Sequence, residues 1–166
     1  MLADGSVTRT SAPFETGALT SQGNTFPAVT LVTHGFQPPY TGGAVHKTSS
    51  YELAQWMAAT NDGAAFVYNK DTGAWDPISS QHAGMKPRDF LRKPVFLVSD
   101  WVYESGASDN GFSEAAADSL FAGLVQLNRD TGGAVFASPV HLIGHSRGTV
   151  VNSELAQRLG KYFPQI

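Results

Sequence analysis

The chain has 166 residues, a formal net charge of −3, 42% hydrophobic and 15% charged residues, enough for one domain with a buried core. With no basic run, the sequence argues against nucleic acid as a partner, and no apolar window is long enough to span a bilayer. Without a single cysteine there are no disulfides and no thiol chemistry.

Residues 1–27 are rich in Gly, Ser, Thr and Pro, with scattered apolar positions at Val7, Phe14, Leu19 and Phe26. They read as a loosely ordered arm with one or two edge strands, followed by the main domain over residues 28–166. Residues 1–22 lack the charged-then-apolar layout of a signal peptide. The compartment stays open between cytoplasmic and non-classically exported.

Residues 28–33 are a continuous apolar and β-branched run, the signature of a strand buried on both faces. His34-Gly35 ends it, and a Pro- and Gly-broken loop over residues 37–43 is placed to rim a pocket. Ser49 or Ser50 is expected to cap a helix to about Thr60, with Leu53, Trp56, Met57 and Thr60 at helical spacing. Residues 65–68 and 74–78 read as a β-hairpin. Residues 79–93 are irregular, with Gly84 and Pro87 as breakers, and 94–99 form a short apolar strand ending in Asp100-Trp101. A loop is expected over residues 103–111. Then Ser113 caps the longest helix, with Leu120, Phe121, Leu124 and Leu127 on one face. Residues 140–143 are a third buried strand, and 149–159 a final helix bounded by Gly160 and Pro164. The alternation of strand and helix predicts an α/β fold with a mostly parallel sheet and flanking helices.

The junction of the last strand and helix is Gly144-His145-Ser146-Arg147-Gly148, a G-x-S-x-G pattern in a strand–turn–helix context. A turn that tight puts Ser146 at its apex in a strained backbone conformation. Gly144 and Gly148 lack a Cβ, so strand and helix can pass close on either side. The Ser146 hydroxyl then sits over a helix N-terminus, which favours negative charge. A plain Gly-Ser turn that caps a helix is the alternative.

This stretch resembles the nucleophile elbow of the α/β-hydrolase superfamily, lipase and esterase branch. Residues 28–36 resemble the strand ending in His-Gly that carries half of the oxyanion hole in many lipases. The resemblance covers residues 28–166 and implies an incomplete α/β-hydrolase core. It also implies that the two motif strands and the strand ending at Ser99 are neighbours, with the His-Gly strand in the middle. The chain would then step outward to one side and return to the other, opening a crevice at the strands' carboxyl ends.

By the same resemblance, Ser146 is the nucleophile, and the backbone N–H groups of Phe36 and Arg147 are the oxyanion donors. Gly35, Gly144 and Gly148 are the loop and elbow glycines. The implied activity is serine-dependent cleavage of a carboxylic ester, small or lipid, through an acyl-enzyme. No cofactor and no metal are implied. Without the resemblance, Phe36 reads as a core aromatic and Arg147 as a solvated charge at a helix start.

The family's order is Ser, then Asp or Glu, then His. No residue after Ser146 is a histidine, and Glu154 reads as a solvated helix charge. His34 and His145 belong to the motifs, His141 lies within a strand, and His46 and His82 lie in loops. None is assigned as base.

A fragment that stops before its acid and histidine explains every absence at once. A short non-catalytic binding or scaffold domain, or completion by a second chain, are the alternatives. Loss of an outer neighbour would leave the strand at residues 140–143 with an open edge that invites self-association. A nucleotide-binding domain fits poorly, because His34-Gly35-Phe36-Gln37-Pro38-Pro39 stands where a glycine-rich phosphate loop would be. Asp100 and Trp101 are weaker candidates for the pocket rim. Their ordinary reading is a turn Asp capping backbone and a packed Trp. Asp100, Glu104, Asp109 and Asn110 lack the alternating spacing of a calcium loop.

Overall fold

The computed structural model describes residues 25–38, 44–107 and 111–166. The expected arm therefore lies mostly outside the described residues, as do Pro39 to Gly43 of the pocket-rim loop, and Asp109 and Asn110. The described residues form a five-stranded sheet flanked by helices on both faces, an α/β fold with mostly parallel strands.

In chain order the elements are β1 (Val29–Thr33), α1 (Ser49–Thr60), β2 (Ala64–Asn69), β3 (Ala74–Pro77), β4 (Val95–Val98), α2 (Val102–Ser105), α3 (Phe112–Asp130), β5 (Val140–Gly144) and α4 (Arg147–Tyr162). The sheet order is β3-β2-β4-β1-β5. β1 lies between β4 and β5 and pairs parallel with both, Val29 facing Val95 on one side and Val140 on the other. β2 runs parallel to β4, and β3 turns back antiparallel at the edge, as the hairpin reading expected. The chain goes from β1 past the β4 position to β2, and from β4 past β1 to β5. That reversal opens a crevice at the carboxyl ends of β1 and β5.

Alternation along the strands divides the core in two. Val29, Leu31, Val95 and Leu97 point to α3 and α4, where Leu120, Leu124, Leu127, Val151 and Leu155 meet them. Leu124 and Leu155 are fully buried, and each contributes roughly 1.5–3 kcal/mol. Val32, Phe96 and Val98 point the other way, to Ala54 and Ala58 of α1. Phe26, placed by sequence in the arm, is buried in the larger cluster, its N–H bonded to Ser138 Oγ at 2.8 Å.

Several details differ from expectation. α1 is capped by Thr48, whose Oγ1 accepts from Tyr51 N. It buries Ser50, Ala54 and Ala58, and Trp56 stands 64% exposed. Small side chains let this helix approach the sheet closely; Leu53, Trp56 and Thr60 are turned outward, while the half-buried Met57 packs against the same cluster as Ala54 and Ala58. Residues 79–93 contain two short 3-10 helices, Ser80–His82 and Pro87–Phe90. Part of the expected loop over 103–111 is helical, as α2. Gly111, not Ser113, is the N-cap of α3, and Ser113 lies buried within the helix. α4 begins at Arg147 and runs through Gly160.

β5 is the largest correction. It is not buried on both faces: His141 and Ile143 are exposed, while Val140 and Leu142 are half-buried. α1 packs on β4, β2 and β1, so the matching face of β5 has no helix over it among the described residues.

Candidate active site

Three segments meet at the crevice: the end of β1, the turn from β5 into α4, and α2. The turn is the sharpest of them. Ser146 has φ 52° and ψ −125°, a positive-φ conformation outside the usual regions for a residue with a Cβ. It is held from both sides. His145 N–H donates to Thr33 O at 3.1 Å, Gly148 N–H to His145 O at 2.9 Å, and Thr149 N–H to Ser146 O at 2.9 Å. The Thr149 hydroxyl also donates to Ser146 O at 2.6 Å. The helix starts at the next residue, so Ser146 is an exposed side chain at the N-terminus of α4.

The glycines around it are steric requirements. A Cβ on Gly148 would run into the carbonyl oxygens of Thr33 and His34 at the end of β1. A Cβ on Gly144 would lie 2.8 Å from Gly148 O and 2.9 Å from Asn152 Nδ2. β1, β5 and α4 are therefore in backbone contact here. Thr33 Oγ1 donates to Asn152 Oδ1 at 2.7 Å, a buried bond that ties α4 to β1 one turn further along.

Gly35 brings the second motif to the first. Its Cβ, if present, would lie 2.7 Å from Ser146 Cβ and 2.8 Å from His145 O. Phe36 follows it directly, and its ring is half-exposed. Ser146 and Gly35, far apart in sequence, thus meet, with Phe36 next in the chain.

His34 is 1% exposed, and its ring stacks on Trp101 with centroids 5.6 Å apart. Its Nδ1 lies 2.8 Å from Gly35 O. A carbonyl only accepts, so Nδ1 carries the proton. Burial pushes the imidazole below its usual range, which keeps it neutral. Trp101 is buried and donates its indole N–H to His34 O at 3.0 Å. Asp100 Oδ1 accepts from Val102 N at 3.4 Å, and burial pushes its carboxyl up. Trp101 thus braces the His-Gly loop, and Asp100 bonds the backbone at the start of α2.

The Arg147 side chain is not a solvated charge. Its Nη1 donates to Ser105 O at 2.8 Å and to Ala107 O at 2.7 Å. Ser105, fully buried, was not singled out by sequence, where it looks like any loop serine. Its Oγ accepts from Gln37 N at 3.1 Å.

No family model, no curated protein and no solved structure matches this chain.

The histidines are spread out. His46 and His82 lie in 3-10 helices, with their rings against Tyr51 and Phe90. His141 is on the exposed face of β5, and His145 is exposed in the turn beside Ser146. Among the described residues, no group of three or more His, Asp or Glu is placed to hold a metal ion. No helix among them is long and apolar enough to cross a membrane.

Proposed function

We propose that the chain is the nucleophile-bearing part of a serine hydrolase that cleaves a carboxylic ester, small or lipid, through an acyl-enzyme. The observation that carries this reading is the positive-φ conformation of Ser146 at a strand–helix turn pressed against Gly35. A serine that only capped a helix would have ordinary backbone angles and no need of that contact. In this reading Ser146 Oγ attacks the ester carbonyl carbon as its proton passes to a base. The oxyanion is received by the N–H groups of Arg147 and Phe36, and the alcohol leaves with the proton. Water then cleaves the acyl-enzyme. The half-exposed Phe36 ring gives the site an apolar flank suited to an acyl chain.

The mechanism needs a histidine and an acid from outside residues 1–166, after the elbow in chain order. The test is reaction of the complete natural gene product with a fluorophosphonate probe. Covalent label on Ser146 is the expected result. A product that carries histidine and acid yet takes no label is the non-catalytic binding domain instead.

Gly35→Ala tests the convergence. The new Cβ has to push the Phe36 loop away from Ser146, misplacing one oxyanion donor. The labelling rate is expected to fall roughly 10²–10³-fold, while overpacking costs about 1–3 kcal/mol of stability. Labelling at the wild-type rate would remove Phe36 from the site.

We also propose that residues 1–166, produced alone, self-associate through β5. Among the described residues this strand pairs on one side only, with β1, and Ile143 is exposed on its uncovered face. Light scattering is expected to show dimers or larger species. A monodisperse monomer would count against it.

A further inference from the structure

We infer that the Arg147 guanidinium and the Ser105 hydroxyl are positioning residues that set the Phe36 N–H against Ser146, an assignment that rests on the hydrolase reading above. Arg147 has two separate parts. Its backbone N–H is the proposed oxyanion donor, and its side chain leaves the site and crosses to α2. There one nitrogen, Nη1, bridges the carbonyl oxygens of Ser105 and Ala107. Both are charge-assisted bonds to carbonyls at the end of a short helix, where cations are favoured.

Ser105 passes this constraint on. Its hydroxyl donates to Val102 O at 2.8 Å, which orients the oxygen to accept from Gln37 N–H at 3.1 Å. The next residue, Gly106, is pressed on the far side of Gln37, since a Cβ there would lie 2.9 Å from Gln37 O. Gln37 follows Phe36. Phe36 is therefore fixed at both ends, by Gly35 against Ser146 and by Gln37 against Ser105. The two proposed donors, Phe36 N–H and Arg147 N–H, lie in segments that α2 joins through side-chain bonds. An oxyanion donor must sit within a few tenths of an ångström to be effective. The Arg147–Ser105–Gln37 chain gives a physical reason for that precision, beyond general stability.

The experiment records amide ¹H–¹⁵N spectra of the complete gene product and of its Arg147→Met, Arg147→Lys and Ser105→Ala variants. Leu127→Ala, in α3, is the control for loss of stability. Arg147→Met and Ser105→Ala are expected to shift the Phe36 and Gln37 resonances well beyond Leu127→Ala. Arg147→Lys, which keeps a charged donor, is expected to bring them back towards wild type. Arg147→Met decides the matter if the buried Ser105→Ala fails to fold. In the complete gene product, Arg147→Met is expected to slow fluorophosphonate labelling at saturating probe roughly 10-fold, with half-saturation unchanged. Phe36 and Gln37 resonances that move no more in Arg147→Met than in the control would overturn the assignment. Lack of label on the wild-type protein would instead overturn the hydrolase reading. The amide spectra would then still decide whether Arg147 and Ser105 hold Phe36.

Discussion

Ser146→Ala is expected to abolish fluorophosphonate labelling and ester hydrolysis in the complete gene product, and Ser146→Gly to do the same while raising thermal stability. Loss of the nucleophile in a serine hydrolase costs about 10⁴–10⁶-fold in rate. The stability difference comes from the backbone. At φ 52° and ψ −125°, any residue with a Cβ is strained, and such strain costs about 1–3 kcal/mol. Glycine relieves it, offset by about 0.5–1 kcal/mol for the extra freedom of its unfolded state. A net gain near 1 kcal/mol corresponds to roughly 2–4 °C for a chain of this size. Alanine keeps the Cβ and the strain, so it shares the loss of activity without the gain. Equal melting temperatures for the two variants would mean that the turn stores no strain. Hydrolysis surviving in Ser146→Ala would mean that another group is the nucleophile.

That the turn was legible in sequence follows from how few residues can occupy it. Gly144 and Gly148 stand where β1, β5 and α4 touch through their backbones, so composition there reflects a hard steric limit. The β-branched runs of β1 and β4 were legible for a similar reason, since both are covered on two faces. The buried face of α1 was not. Hydropathy directs attention to Leu53 and Trp56, but the helix sits near Val32, Phe96 and Val98 through Ala54 and Ala58. Close approach selected small side chains over apolar area. β5 misled in the opposite sense: an apolar strand looks buried on both faces, and α1 does not reach it. Arg147 and Ser105 were illegible as partners, because they lie about 40 residues apart and meet only when α2 forms. Ser105 belongs to no motif, and the G-x-S-x-G pattern that contains Arg147 says nothing about where its side chain goes.

Gly148→Ala and Gly160→Ala, two substitutions in the same helix, are expected to change stability in opposite directions. Gly160 lies within α4 with nothing inside 4 Å of its missing Cβ. Alanine there lowers the unfolded chain's freedom and suits the helix, a gain of about 0.5–1 kcal/mol. At Gly148 the same methyl group meets the carbonyl oxygens of Thr33 and His34, with Thr33 C at 2.9 Å. Backbone atoms at the end of a central strand cannot turn aside as a side chain would. α4 must move away from β1, which strains the 2.7 Å Thr33–Asn152 bond and the buried contacts of Val151 and Leu155. Overpacking of this kind costs about 1–3 kcal/mol, and more where the obstacle is backbone. Denaturant titration of both variants reads the difference directly. Moving α4 also carries Ser146 away from Gly35, so labelling is expected to fall further than the fraction folded explains. A Gly148→Ala protein as stable as wild type would show that β1 and α4 are not in backbone contact. The turn would then lose the steric reason for its second glycine, and Ser146 the constraint that holds it in place.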